Sequence, residues 1–423
     1  MSGKTIAEKI LSTHSLSDNP IIPGEIIDAK IDLIMSHFGT GKVLLDFRKI
    51  RPSKKRKVFD PEKIVVLFDH YNPPPTEKWA SVHDLIRKFV KKQNITNFYD
   101  IREGICHQIL PEKGHVRPGM LIVGGDSHTT TYGAFNAAGC GLGSTDLFYA
   151  YVKGELWFKI PETLKFEING SLPKNVMSKD IIIKIAGDYS ASVARYKSIE
   201  FTGETMKSLS MASRMTMSNF ALELGAKFAF GIPDEKIIDW VSTRTKKPFK
   251  IVKPDQDAIY EKTFQMDVDD LEPQVSCPHT VDNVKPVTEL GEIEINQAFL
   301  GSCTNGRYED MEIAAKILKG KRIHDDVRMI ITPASQEIWL SMAKSGLSEI
   351  LINSGAIITN PNCGACFGAH GGVLAPSEKC ISSSNRNFQG RMGSPASEIY
   401  LGSPATVAAS ALTGVITDPR DFN

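Results

Sequence analysis

Short apolar runs, each followed directly by a polar turn, alternate with helical patterns along most of this 423-residue chain. Such runs are typical of strands buried on both faces, and their alternation with helices favours an α/β fold with largely parallel sheets. We predict strands over residues 63–69, 120–124, 294–300, 327–332 and 355–359. We predict helices over residues 144–158, 309–319, 335–354 and 397–412.

The chain is long enough for two or three domains, because single cores stop growing beyond ~250–300 residues. Near Pro161 the pattern changes to an alternating strand over residues 163–169. A polar stretch that contains proline then runs from about Pro273 to Lys285. We therefore expect three domains, comprising residues 1–160, 161–285 and 286–423.

Charge and hydropathy exclude several classes of protein. The 50 Lys and Arg residues balance 49 Asp and Glu residues, so there is no basic surplus for bulk nucleic-acid binding. No apolar stretch approaches the ~18 residues of a membrane span, and the N-terminus lacks the apolar block of a signal peptide. We expect a cytoplasmic protein. The basic run over residues 51–57 is interpreted as a solvated loop, with an anion contact as the alternative.

Seven cysteines, an odd number, do not suit a disulfide framework in such a chain. Cys363 and Cys366 form a C-x-x-C turn, which suits a redox pair, a zinc site or an iron–sulfur cluster. Cys303, in a similar turn, adds a third thiol, and no fourth cysteine has a comparable context. In a [4Fe–4S] cluster, three thiolates would leave one iron without a protein ligand, free to act as a Lewis acid.

The polar turns follow the predicted strands, where open α/β sheets bind ligands. They include Asp69-His70, Asp126-Ser127-His128, residues 301–305, residues 362–366 and residues 385–387. We therefore expect one composite site. A carboxylate beside an imidazole fixes its tautomer and raises its basicity, which makes His70, His107 and His128 candidates for acid–base work.

Two further groups are candidates for ligand binding. Arg386 and Arg391 lie five apart, and guanidinium groups bind carboxylates bidentately, so a polycarboxylate is the natural ligand. Asn219 and Glu223 lie four apart, and they share one face if their segment is helical. The chain has neither a G-x-G-x-x-G nor a P-loop motif, so no nucleotide site is predicted.

Four stretches, in this order, resemble the aconitase superfamily: Asp126–Thr129, Gly301–Arg307, Cys363–Cys366 and Asn385–Arg391. Within the superfamily, the chain is most similar to the large subunits of archaeal-type isopropylmalate isomerases (3-isopropylmalate dehydratases), over essentially its whole length. The resemblance implies an α/β fold of three aconitase-type domains around a central iron–sulfur site, without the fourth, swivelling domain.

The resemblance also implies a cofactor and a set of site residues. One [4Fe–4S] cluster per chain, with one iron lacking a protein ligand, would be held by Cys303, Cys363 and Cys366. The implied catalytic residues are His128, Asp126, Ser127, Asp69, His70, His107 and Glu223. The implied substrate-binding residues are His37, Arg386, Arg391, Asn219 and Asn385.

The implied reaction is the reversible dehydration and rehydration of a hydroxy di- or tricarboxylate, with isopropylmalate as the expected substrate. Citramalate, homocitrate or homoaconitate, and 2,3-dimethylmalate are close alternatives.

A separate small subunit would supply the swivel domain, a catalytic serine and specificity contacts. An iron-responsive RNA-binding protein and a zinc protein are the distant alternatives. Departures from the family pattern at Phe38, Ser218 and residues 136–138 affect only the expected detail of the pocket.

Overall fold

The computed structural model describes residues 3–18, 20–49 and 57–422, with no side-chain description for residues 48 and 49. Residues 51–56 of the basic run lie outside these ranges. The described chain forms a mixed α/β fold with largely parallel sheets, as predicted. No helix among the described residues is both long and apolar enough to cross a bilayer.

The first sheet is parallel, with strand order β4-β3-β2-β5-β6, and a separate antiparallel pair joins β1 to β7. The strands of this part are β1 (Ile26–Lys30), β2 (Leu33–Ser36), β3 (Ile64–Leu67), β4 (Asn97–Tyr99), β5 (Leu121–Gly124), β6 (Ala138–Gly141) and β7 (Glu155–Lys159). The helices are α1 (Ile6–His14), α2 (Thr40–Lys49), α3 (Glu77–Gln93), α4 (Cys106–Glu112) and α5 (Ser144–Lys153).

The second sheet is also parallel, with order β10-β9-β8-β11. Its strands are β8 (Thr163–Asn169), β9 (Ser198–Thr202), β10 (Phe228–Phe230) and β11 (Lys262–Asp267). The helices of this part are α6 (Ser178–Tyr189), α7 (Glu204–Ser208), α8 (Met211–Phe220) and α9 (Glu235–Ser242). The alternating strand predicted over residues 163–169 is confirmed.

The third sheet has order β13-β12-β18-β17-β14-β15-β16, parallel from β18 to β16. Its strands are β12 (Gln274–Ser276), β13 (Val284–Pro286), β14 (Gln297–Leu300), β15 (Arg328–Ile331), β16 (Ile357–Ile358), β17 (Lys379–Ser382) and β18 (Glu398–Leu401). The helices are α10 (Ser302–Asn305), α11 (Tyr308–Leu318), α12 (Gln336–Lys344), α13 (Leu347–Asn353), α14 (Gly364–Phe367) and α15 (Pro404–Thr413). The proposed domain limits remain a prediction.

Strand β14 shows how the three sheets share their cores. Successive side chains of a strand point to opposite faces. Ala298 and Leu300 pack in one apolar cluster with Leu67 and Ile122 of the first sheet. Phe299, which lies between them, packs in a second cluster with residues of the second sheet. The two faces of β14 therefore contribute to different apolar clusters, one shared with the first sheet and one with the second.

Two helix predictions were wrong at one end. The helix predicted over residues 144–158 ends at Lys153, because Gly154 adopts the left-handed conformation with φ of 70°. Residues 155–159 form β7 instead. The helix predicted over residues 397–412 begins only at Pro404, since Ser403 caps it and the buried residues 398–401 form β18. The predicted helix over residues 335–354 is divided at Gly346, which has φ of 80°.

One ion pair between α1 and the first sheet makes stability depend on pH. His14 Nε2 lies 2.6 Å from Asp32 Oδ2, and His14 Nδ1 lies 2.7 Å from the Ile10 carbonyl oxygen. Both ring nitrogens therefore face acceptors, which favours the protonated ring. Burial alone would lower the pKa of His14, but the hydrogen bond and charge of Asp32 raise it above 6.5.

We expect His14→Gln to destabilise the fold by on the order of 1 kcal/mol at pH 5.5 and by less at pH 8.5. A histidine whose pKa is higher in the folded than in the unfolded state stabilises the fold in its protonated form. This contribution is complete at a pH below the unfolded-state pKa and is lost as the pH rises through the folded-state pKa. The measurement is urea unfolding of both proteins at the two pH values, with His324→Gln, at a half-exposed histidine, as control. The same difference in unfolding free energy between wild type and His14→Gln at both pH values would contradict this expectation.

Candidate active site

The polar turns of the first and third sheets meet where the parallel strands end. His37 follows β2, Asp69 follows β3, and Asp126 follows β5. Cys303 lies in the turn after β14, Cys363 in the turn after β16, and Arg386 and Arg391 in the segment after β17. Direct hydrogen bonds join the two sheets: the Cys363 N–H donates to the Asp69 carbonyl oxygen at 2.8 Å, and Arg386 Nη2 donates to Ser127 Oγ at 3.0 Å. The expected composite arrangement of turns is present.

Cys303, Cys363 and Cys366 are nearly buried, with exposed fractions of 7%, 8% and 7%. Cys303 lies in the short helix α10. Cys363 is the N-cap of the short helix α14, and Cys366 lies within that helix. Burial raises the pKa of Cys303 to about 12, and the charges of Asp126 and Cys366 add to this effect. Burial, Asp69 and the other two thiols raise the pKa of Cys363 well above its ordinary value. Without a bound cation, the thiols of Cys303 and Cys363 would therefore stay protonated.

Two buried amides face the sulfur of Cys303. Asn219 Nδ2 donates to Cys303 Sγ at 3.3 Å, and Asn385 Nδ2 lies 3.8 Å from the same sulfur. Thr304 Oγ1 lies 2.5 Å from Asn385 Oδ1 and 3.2 Å from Asn219 Oδ1. The amide oxygens are thus held by Thr304, and the N–H groups point at sulfur.

The donor atoms bear on the kind of metal centre. Three soft thiol ligands suit either an iron–sulfur cluster, in which each cysteine binds a different iron, or a zinc ion. Within the described part of the chain, His37, Asp69 and His70 also bring three ligand atoms within 4.8 Å of one another.

Asp69 and His70 form a fully buried acid–imidazole pair, with His70 Nδ1 lying 2.7 Å from Asp69 Oδ1. The second carboxylate oxygen of Asp69 accepts the Cys106 N–H at 3.0 Å. Burial would raise the pKa of Asp69, but the charge and hydrogen bond of His70 hold it below its ordinary value. Conversely, Asp69 raises the pKa of His70 against the opposing effect of burial. The pair can hold a proton on His70.

Asp126 organises the histidines on the other side of the site. Its Oδ1 lies 2.8 Å from His107 Nε2 and accepts the backbone N–H of His128, also at 2.8 Å. His37 Nε2 lies 3.7 Å from the other carboxylate oxygen. Burial opposes ionisation of Asp126, yet the hydrogen bonds from His107 and His128 lower its pKa well below the ordinary value.

Glu223 connects His128 to Arg386. Its Oε1 lies 2.9 Å from His128 Nε2 and accepts Arg386 Nε at 2.8 Å. Burial would raise the pKa of Glu223, but His128 and Arg386 lower it. Asn219 lies in α8 and Glu223 in the single turn that continues it, residues 221–224, so both reach the site from the same segment.

The two arginines occupy different places. Arg386 uses two of its five N–H donors on Glu223 and Ser127. Arg391 Nη2 lies 4.0 Å from Cys366 Sγ, and its guanidinium lies over the rings of Phe367 and Phe388. Its buried Nε has no hydrogen-bond partner within the described structure. Both arginines therefore keep donors for an anionic ligand.

Sequence reasoning missed two features of the site. Lys179 is fully buried behind Asn385, to which it donates a hydrogen bond of 3.5 Å. Phe38 stacks on His37 with ring centroids 4.6 Å apart and begins an aromatic group that continues to Tyr71, Trp79 and Phe367. Lys179 lies between Ser178 and Asp180 at the start of α6, so its sequence neighbours gave no signal of burial.

Comparisons with known proteins identify the family of this chain. The model of the aconitase family (aconitate hydratase) matches residues 48–292 and 283–414. A 3-isopropylmalate dehydratase large subunit 1 of Methanopyrus kandleri is 50% identical over 99% of this chain and 100% of its own length. A probable methanogen homoaconitase large subunit of Methanothermobacter thermautotrophicus is 47% identical over 98% of this chain and 97% of its own. A solved structure, that of Thermococcus kodakaraensis aconitase X, matches with 12% identity and a TM-score of 0.49, covering 85% of this chain and 84% of that one. The chain belongs to the aconitase family.

Proposed function

We propose that this chain is the large, catalytic subunit of a 3-isopropylmalate dehydratase, a hydro-lyase that interconverts 2- and 3-isopropylmalate in leucine biosynthesis. The observation that carries the proposal is the convergence of three cysteines, two acid–imidazole systems and two arginines at one edge of the parallel sheets. Relatives named 3-isopropylmalate dehydratase large subunit are 45–50% identical over nearly the whole chain.

The proposed cofactor is a [4Fe–4S] cluster held by Cys303, Cys363 and Cys366, with one iron lacking a protein ligand. Two features of the site fit such a group: the soft thiol donors of three buried cysteines and the amide N–H groups aimed at Cys303 Sγ. When bound, the cluster would supply a Lewis acid that polarises the departing hydroxyl group.

The chain's own residues would bind the substrate and move its protons. Arg391 and the free donors of Arg386 would bind the carboxylates of the substrate, beside Cys366 and Ser127. Protonated His70, held by Asp69, would give a proton to the leaving hydroxyl group. His107 and His128, oriented by Asp126 and Glu223, would hold the water that returns in the hydration step.

A separate small subunit is part of the proposal, because the relatives are themselves named as large subunits. By resemblance, that partner supplies the serine base and contacts that select the substrate. Homoaconitate chemistry is the second candidate, since relatives at 47% and 49% identity are named as probable homoaconitase large subunits.

We expect the cluster-loaded chain alone to be nearly inactive, and its complex with a small subunit to hydrate and dehydrate isopropylmalate. The measurement is the formation and loss of the unsaturated intermediate in an ultraviolet assay under anaerobic conditions. Citramalate, homocitrate and 2,3-dimethylmalate are tested in parallel. Faster turnover of homocitrate than of isopropylmalate would show that homocitrate is the better substrate. Robust turnover without any partner would contradict the need for a small subunit.

A further inference from the structure

Lys179, on α6, is a fully buried cation that reaches the back of the cysteine site. Its ammonium donates to the carbonyl oxygens of Ser383 at 3.2 Å and Ser384 at 2.7 Å, and to Asn385 Oδ1 at 3.5 Å. It also lies 4.4 Å from the centroid of the Phe220 ring. These partners are dipoles and a ring face, and no carboxylate of the described residues forms an ion pair with it.

A buried charge without a partner of opposite charge is costly. Burial accordingly lowers the pKa of Lys179 to about 7, whereas negative charge on Cys303 and Cys366 raises it. An iron–sulfur cluster bound by three thiolates carries a net negative charge next to this ammonium. The charges of Glu223 and Asp180 also favour the ammonium, although neither carboxylate forms an ion pair with it within the described structure. The chain therefore places this cation one amide, that of Asn385, away from the Cys303 sulfur.

Lys179 also helps to set which way the Asn385 amide faces, together with Thr304, whose Oγ1 lies 2.5 Å from Asn385 Oδ1. An ammonium can only donate hydrogen bonds, so the group that faces Lys179 must be the amide oxygen. The N–H₂ group then points the other way, towards Asn219 Oδ1 at 2.8 Å and Cys303 Sγ at 3.8 Å. Removing the ammonium would leave Thr304 and Asn219 as the remaining partners of this amide and would weaken the preference for an N–H group facing the sulfur.

We propose that Lys179 is a positioning residue that neutralises the cysteine-bound cluster and orients Asn385 towards Cys303, and thereby raises the reduction potential of the cluster. The inference rests on the proposed function, since it requires the cluster. Reduction adds negative charge, and a nearby cation and N–H···S contacts both favour the reduced form.

The test is a redox titration, followed by electron paramagnetic resonance, of the full chain purified under anaerobic conditions. In Lys179→Met we expect unchanged iron and sulfide content and a reduction equilibrium about tenfold less favourable, or a potential about 59 mV more negative for one electron. Lys179→Arg keeps the charge and is expected to restore most of the potential. Lys227→Met, at a lysine packed on Phe158 and Tyr196, is the matched control and should leave the potential unchanged.

An unchanged potential in a fully loaded Lys179→Met protein would overturn the inference and leave the proposed function intact. A wild-type chain that binds no iron and sulfide would instead overturn the proposed function. If Lys179→Met assembles no cluster, Lys179→Gln gives the same comparison, because its amide donates to the same carbonyls without charge. Cluster loss in the Met and Gln variants but not in the Arg variant supports the counter-charge role, and loss in all three contradicts it.

Discussion

Replacing Cys363 by serine is expected to lower the affinity for iron by more than about 100-fold and to abolish activity of the complex with the small subunit. A serine hydroxyl is a harder and much less acidic ligand than a thiol, so it holds iron–sulfur clusters poorly. The backbone N–H of Cys363 donates to the Asp69 carbonyl oxygen, and a serine at this position keeps that hydrogen bond. The variant should therefore keep its fold and lose its visible absorption.

The matched control for this prediction is Cys277→Ser. Cys277 is 9% exposed, close to the 8% of Cys363, and its thiol makes only a long contact of 4.0 Å with the Val275 carbonyl oxygen. We expect this control to retain iron, sulfide and colour. Equal iron content in the two variants would show that Cys363 is not a ligand, and the same comparison applies to Cys303 and Cys366.

Glu223→Gln is expected to lower kcat of the complex by about 10²- to 10⁴-fold, the range typical of a lost acid–base system, while the cluster content stays unchanged. The Glu223 carboxylate serves His128 and Arg386 at once. The amide oxygen of glutamine can still accept from both groups, but it leaves the Arg386 guanidinium without its counter-charge. The position of Arg386 and the contact that orients His128 should therefore both weaken.

Steady-state kinetics of the complex, with iron quantified in each sample, measures this effect. Glu261→Gln is the control, because Glu261 pairs with Lys197 at the surface and should give kcat within the error of the wild type. Activity of Glu223→Gln within threefold of the wild type would remove Glu223 from the proposed catalytic residues. A loss of iron in Glu223→Gln would show that Glu223 stabilises the cluster site rather than the reaction.

Much of the fold and site followed from local sequence signals. Residues 163–169 alternate in hydropathy and form β8 without a change of bounds. The polar turns were informative because a parallel sheet brings the ends of its strands to one edge, whatever their separation in sequence. Asp69 and Cys363, nearly 300 residues apart in the chain, are thereby joined by a hydrogen bond.

The features that were missed depend on contacts between distant segments. The end of α5 at Lys153 is due to Gly154, whereas the strand that follows exists only because β1 pairs with it. Lys179 has neighbours in sequence typical of an ordinary helix, and its burial arises from packing against Ser383, Ser384 and Asn385. Pairing and burial of this kind are tertiary effects that local propensity does not contain.

The most direct test of the central proposal is to quantify iron, acid-labile sulfide and zinc in the wild-type chain purified under anaerobic conditions. We expect about four irons and four sulfides per chain, negligible zinc and a brown protein. Stoichiometric zinc, or no metal after careful anaerobic reconstitution, would contradict the proposal that Cys303, Cys363 and Cys366 hold a catalytic iron–sulfur cluster.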